Sequence, residues 1–196
     1  QDSELRTFDQ QVQARSGMMW AAGDRDLKEP QIVQGAMVDQ NGATMLAFAI
    51  VTALLVRERL GISQRVDVSL FGSAIHLQVA NIATALWFGR AIPRHSRKRA
   101  RNAMSNHYRC ADGQWLRITE SQSDRFWGEF VNALGAESDD TAFIGQDHRF
   151  ATAEGRRLNY AELIPVLDKV FASKPRDEWL RLFRDKGCQF ACGPIN

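Results

Sequence analysis

Residues 38–70 read VDQNGATMLAFAIVTALLVRERLGISQRVDVSL, and the fold turns on this stretch. From Ala43 to Leu60 it is rich in Ala and Leu and holds no Gly or Pro. It is apolar on nearly every face, which predicts a buried helix. Gly61 stands where such a helix ends in a left-handed cap. Arg65 to Leu70 alternates polar and apolar side chains and predicts a strand. Gly72 to Trp87, packed with Ala and Ile, predicts a second buried helix. Helix, strand, helix is the rhythm of an α/β layer.

Upstream, residues 8–20 mix apolar and polar groups, Asp24 to Pro30 is charged and turn-like, and Val33 to Val38 is a short apolar run. Downstream the composition changes. Gly89 to Asn106 carries Arg90, Arg94, Arg97, Lys98, Arg99 and Arg101 around Pro93 and reads as a connector. His107–Cys110 and Gln114–Thr119 flank Asp112-Gly113, a hairpin signal. Asp124–Leu134, Tyr160–Ala172 and Pro175–Lys186 read as helices, residues 136–150 as irregular, and Gly193 to Asn196 as a turn. This predicts a partial α/β domain over 1–88, a connector or lid over 89–106, and a small α+β domain over 107–196.

Of 196 residues, 44% are apolar and 24% charged, which excludes general disorder. With 25 basic and 23 acidic residues the net charge is +2, against a whole surface built for nucleic acid or acidic membranes. No run reaches the ~18 apolar residues of a membrane span. Three cysteines make no disulfide framework and suit a reduced, cytoplasmic protein. Neither they nor the four histidines stand at metal-ligand spacing, so no metal is expected; His76 reads as a core histidine.

Three stretches together carry a resemblance. The first is Phe8-Asp9-Gln10-Gln11-Val12-Gln13-Ala14-Arg15-Ser16-Gly17. The second is Val38-Asp39-Gln40-Asn41-Gly42, the apolar helix, and Gln64-Arg65-Val66-Asp67-Val68-Ser69-Leu70. The third joins His107-Tyr108, Asp112-Gly113, Phe126-Trp127, Glu178-Trp179 and Gly193-Pro194-Ile195-Asn196. In this order they resemble the class III CoA-transferases, the carnitine and formyl-CoA transferase family, whose fold is shared by alpha-methylacyl-CoA racemases. The resemblance implies part of a doubly wound, Rossmann-like large domain followed by a small α+β domain. It implies an internal segment of a longer chain, and subunits interlocked as a homodimer.

The resemblance also implies an activity. CoA would move between an acyl-CoA thioester and a carboxylic acid acceptor, with CoA as substrate and no covalently bound cofactor. Asp39 aligns with the family's catalytic aspartate, which passes through an aspartyl-CoA thioester. Read locally, Asp39 or Asn41 is simply an N-cap. If Asp39 precedes the helix, its carboxylate lies near unpaired N–H groups that keep it ionised and stabilise oxyanions. Gly42 would then let a ligand approach the backbone closely. Gln13, Arg15 and Gln40 are candidates to touch substrate, with Trp20 read as structural. Arg101, Asn102 and Asn106 fall in the lid position, without the glycines of formyl-CoA transferases, against an oxalate-type substrate. Related racemases carry a His base where Phe8 stands, and Phe moves no proton. The alternatives are a racemase of this fold, or a segment inactive without a missing CoA-binding half.

Overall fold

The computed structural model describes residues 6–135 and 139–196. It is a mixed α/β chain, rich in helix, with one small antiparallel sheet. The chain divides into two compact units, Gln1–His95 and Ser96–Asn196.

The first unit holds α1 (Asp9–Arg15), α2 (Met18–Ala21), α3 (Met37–Leu60), α4 (Leu70–Leu77) and α5 (Val79–Phe88). The long apolar helix ends as expected: Gly61 sits at φ 69° and donates its N–H to the Arg57 carbonyl at 2.9 Å. It begins earlier than its apolar stretch, at Met37, and so takes in Asp39.

The expected strand at Arg65–Leu70 does not form. Residues 62–69 are irregular, and no strand lies beside them among the described residues of this unit. A strand exists through ladder hydrogen bonds to a neighbour, which alternation alone does not supply. Leu70 instead opens α4, where the Ser69 hydroxyl accepts the Gly72 N–H at 3.0 Å. The expected helix from Gly72 to Trp87 is two helices, bent by 71° at their break. Gln78 sits at that break, its amide turned back onto the carbonyls of Ala74 at 3.2 Å and Ser16 at 3.3 Å.

The buried core of this unit is thin: Val12, Val38 and Ala74, with Met18 and Leu70 packed against them. The expectation that α3 and α5 are buried therefore fails. Phe48 is 74% exposed, Leu86 78% and Trp87 81%, and His76 is exposed as well. Apolar faces on every side need cover on every side, and this unit covers little beyond the start of α3. Among the described residues no single helix is long and apolar enough to cross a membrane; α4 and α5 reach that composition only as a bent pair.

The second unit builds its own core. β1 (Ser105–Arg109) and β2 (Trp115–Thr119) form the expected hairpin, with Arg109 opposite Trp115 and Gly113 at φ 79° in the turn. Then come α6 (Ser123–Leu134), α7 (Asp139–Gln146), α8 (Ala153–Leu158), α9 (Tyr160–Phe171), α10 (Arg176–Asp185) and β3 (Cys192–Ile195). Residues 193–195, expected as a turn, belong to β3, which pairs antiparallel with β2. The 136–150 stretch, expected as irregular, contains α7 and a 3-10 turn at His148–Phe150; residues 136–138 lie outside the described residues. Burial of Ile144 and Phe150 explains the order there.

Alternate residues of the strands, Asn106 and Tyr108, then Leu116 and Ile118, face inward. Phe171 lies among aromatic rings, 4.5 Å from Tyr108 and 5.2 Å from Trp179 between centroids. Its carbonyl accepts the Trp179 indole N–H at 3.0 Å. Burial pushes the Tyr108 phenol pKa well above its ordinary value, and its hydroxyl donates to the Ala103 carbonyl at 2.7 Å.

Two outcomes follow from these unequal cores. Phe171→Ala should cost about 3–5 kcal/mol in urea unfolding, because a packed aromatic site collapses poorly; a loss below 1 kcal/mol would contradict that packing. The open faces of α3 and α5 should make the purified chain self-associate and bind a hydrophobic dye. A monomer by light scattering, with no dye binding, would contradict this.

Candidate active site

Asp39 lies in the first turn of α3, neither before the helix nor at its cap. The cap is Ala36, held at φ 51° and ψ 45°, with no side-chain hydrogen bond to the helix start. It is the one non-glycine residue at positive φ among the described residues, and an L side chain in that region carries strain. A helix start leaves N–H groups without intrahelical partners. Here two of them are met from another helix. Asp9 Oδ2 accepts the Val38 N–H at 2.7 Å and the Asp39 N–H at 3.2 Å.

Asp9 is only 7% exposed, so its carboxylate is a buried cap supplied from α1. Gln13, fully buried one turn along α1, donates its amide to Asp9 Oδ1. The same side chain donates to the Val33 carbonyl at 2.8 Å and accepts the Val33 N–H at 3.0 Å. From α4, the Ser73 hydroxyl donates to the Val38 carbonyl at 3.0 Å. Asn41 Nδ2 donates to the Ser73 hydroxyl at 2.8 Å and to its carbonyl at 3.1 Å. The Asp39 carboxylate itself is exposed and accepts no hydrogen bond among the described residues.

Several expectations are corrected by this geometry. Neither Asp39 nor Asn41 is the N-cap. The Val38 and Asp39 N–H groups are not open to an oxyanion, because Asp9 occupies them. Gln13 has its amide engaged by Asp9 and Val33 and is shut away from substrate. Gly42 serves the contact of α3 with α4: a Cβ there would stand 3.1 Å from Leu70 Cδ2, so the close approach is made by Leu70 rather than a ligand. Gln40 is exposed beside Asp39 and donates to the Gly35 carbonyl at 2.7 Å. Arg15 is exposed at the end of α1. Trp20 is exposed and carries the Arg94 guanidinium over its ring at 4.9 Å.

The basic connector is anchored. Arg94 donates to the carbonyls of Trp20, Leu27, Glu29 and Met19, closing the loop of residues 20–30. In the second unit, Arg97 makes a two-pronged pair with Asp168 at 2.6 and 3.0 Å. Ala100, Ala103 and Met104 are buried in that unit's core, which a hinged lid would not allow. Asn102 ties the turn, donating to the Glu120 carbonyl at 2.7 Å and accepting the Met104 N–H at 3.0 Å. Asn106 is fully buried and donates to the Arg97 carbonyl at 3.0 Å, so it does not reach substrate from this position. Arg101 alone of the three lid candidates is exposed.

Other chemistries find less support. Burial pushes the Cys110 thiol up to about 11 and raises Cys188 and Cys192 as well, which disfavours thiolate formation. Among the described residues no group of three or more His, Cys, Asp and Glu side chains is placed to hold a metal ion.

The geometry thus presents an exposed carboxylate in the first turn of a buttressed helix, within an α/β chain. The comparisons give its family. The sequence model of CoA-transferase family III matches residues 1–196, and the chain belongs to that family. It is 30% identical over 188 residues to a probable fatty acyl-CoA transferase of Mycobacterium tuberculosis, covering 90% of this chain and 45% of that protein. It is 31% identical over 191 residues to an acyl-CoA transferase of Fusarium pseudograminearum, covering 96% of this chain and 39% of that one. Among solved structures, a CaiB/BaiF family protein from Brucella suis superimposes with a TM-score of 0.82 at 26% identity, covering 100% of this chain and 49% of that one. The chain thus spans about half the length of the relatives it matches or less.

Nothing in the sequence alone singles out Asp9 or Ser73 as part of the site. The sequence shows only that Asp9 stands four residues before Gln13, a spacing that shares a helix face. Gln13→Ala should lower stability by about 1–3 kcal/mol, since it leaves the Val33 backbone groups unpaired. Chemical denaturation followed by circular dichroism measures it; an unchanged midpoint would show the amide to be dispensable.

Proposed function

We propose that this chain carries the nucleophile of a CoA-transferase, and that the nucleophile is Asp39. The observation that carries this reading is the exposed carboxylate on a fixed first turn of α3, in a chain that family III matches from end to end. The Val38 and Asp39 amides are taken by Asp9, so the Asp39 carboxylate is left free to face a substrate.

The chemistry runs in balanced steps. An Asp39 oxygen attacks the thioester carbonyl of an acyl-CoA, the C–S bond breaks, and CoA leaves as thiolate from a mixed anhydride. The thiolate then attacks the Asp39 carbonyl, releasing the acyl group as its free carboxylate and leaving an aspartyl-CoA thioester. An acceptor carboxylate attacks that thioester to give a new mixed anhydride and CoA thiolate. The thiolate takes the acceptor's carbonyl, and Asp39 is regenerated. One hard exchange becomes several easier ones. The oxyanion donors must come from groups other than the Val38 and Asp39 amides, which Asp9 holds.

Phe8 supports transfer over racemisation. It is exposed at the cap of α1, where related racemases carry a histidine base, and its ring exchanges no proton. The same reading carries a cytoplasmic enzyme that works as a homodimer.

The test is intact mass after incubation with short-chain, medium-chain and aromatic acyl-CoA esters, for the wild type and Asp39→Ala. A hydroxylamine-labile adduct of CoA or acyl mass, converted to a hydroxamate at residue 39 and absent from the variant, is the expected result. No adduct on the folded chain alone would favour the segment inactive without its CoA-binding half, and no adduct at residue 39 in a chain extended to the relatives' length would overturn the proposal. Exchange of the proton beside the thioester carbonyl in deuterated water, without CoA transfer, would point to the racemase.

A further inference from the structure

We infer that Asp9 is a positioning residue for Asp39, acting as a cap supplied from another helix that both fixes the nucleophile's backbone and leaves its carboxylate unencumbered. The inference rests on the assignment of Asp39 as nucleophile and goes beyond it.

Three observations carry it. First, one of the two N–H groups bound by Asp9 Oδ2 is that of Asp39 itself, at 3.2 Å; the other, Val38, precedes it at 2.7 Å. The reacting residue is therefore tied through its own peptide. Second, α3 has no cap of its own, since Ala36 stands at the cap position in a left-handed conformation. An acidic side chain in the first turn of a helix commonly folds back onto unpaired N–H groups. With Asp9 already on them, Asp39 has no such call on its oxygens, and it remains exposed and unbonded among the described residues. Third, Asp9 cannot drift. It is buried, and its second oxygen takes the amide of Gln13, itself fully buried and locked to both polar groups of Val33.

The arrangement separates two tasks that one carboxylate does badly together. A carboxylate bound to helix N–H groups is stabilised and withdrawn from attack. A carboxylate with no anchor loses time in unproductive orientations, and small misplacements of a reacting group can cost on the order of 100-fold in rate. Here Asp9 takes the first task and Asp39 keeps the second.

Asp9→Asn tests it. An asparagine offers one acceptor oxygen, and its NH2 must then face either the helix N–H groups or the Gln13 NH2, donor against donor. The readout is the single-turnover rate of adduct formation at residue 39, measured against acyl-CoA concentration, using whichever ester labels the wild type best. Hydrogen exchange at the Val38 and Asp39 amides accompanies it. The expected result is a fall on the order of 10- to 100-fold in the limiting rate, with the concentration for half-maximal rate unchanged and faster exchange confined to the first turn of α3. A purely structural role would lower the melting temperature and the reactive fraction but leave the limiting rate per reactive site unchanged, and that result would overturn the inference.

If Asp9→Asn does not fold, Asp9→Glu carries the test. It keeps the charge and the capping oxygen but moves them by one methylene, and the same split is expected at threefold or more. A wild-type rate from a folded Asp9→Glu protein would overturn the positioning role. Failure of the wild type to form an adduct even in a chain extended to the relatives' length would instead overturn the transferase reading and, with it, this inference.

Discussion

The buried carboxylate of Asp9, laid across the first amides of α3, is the contact on which the rest of the first unit depends. An uncapped helix start would leave polar N–H groups against the small apolar core. Ala36 offers no side-chain oxygen, so the acceptor has to come from elsewhere in the chain. Asp9 supplies it, and the consequences spread outward. Holding Asp9 requires Gln13; Gln13 then fixes Val33, which leads into the turn before α3. Ser73 and Asn41 join α3 to α4. A continuous polar network thus does at the start of α3 what apolar packing does in the second unit.

The two units differ in how they are stabilised. Ser96–Asn196 buries rings from two strands and several helices around Phe171, and the connector's own Ala100, Ala103 and Met104 complete that core. Its order follows from area removed from water. Among the described residues, the first unit buries three small or medium apolar side chains and leaves α3 and α5 open over most of their length. Its geometry near Asp39 is correspondingly a matter of directed hydrogen bonds. Those specify orientation closely but add only about 1 kcal/mol each.

Much of the scaffold was legible in the sequence because local chemistry decides it. Gly61 ends α3, Asp112-Gly113 turns the hairpin, and the spaced aromatics fill the small core. The failures share one cause: they are features that require a partner distant in sequence. Arg65–Leu70 alternates like a strand but has no neighbour, and residues 193–195 look like a turn but find β2. Gly42 looks like room for a ligand, and the room is taken by Leu70. At the site, Asp39 was legible only through an ordered resemblance. Asp9 and Gln13 belong to the first stretch of that resemblance, yet their tie to residues 33, 38 and 39 is a tertiary fact.

The basic run from Arg90 to Arg101 makes the same point about charge. Its sequence suits phosphate recognition, and an arginine fork does match phosphate and carboxylate geometry. The same fork also matches clustered backbone carbonyls. Arg94 reaches four of them, and Arg97 is engaged by Asp168. Both guanidiniums therefore work inside the units that contain them, ordering the loop of residues 20–30 in one case and the approach to β1 in the other. An arginine whose donors already meet such partners must break them to bind an anionic ligand, and the cost grows with the number of bonds lost. Residues whose charge remains at the surface, such as Arg90, Lys98 and Arg101, carry no such cost. Within one basic segment, then, proximity to a site ranks candidates poorly, and existing hydrogen bonds rank them better.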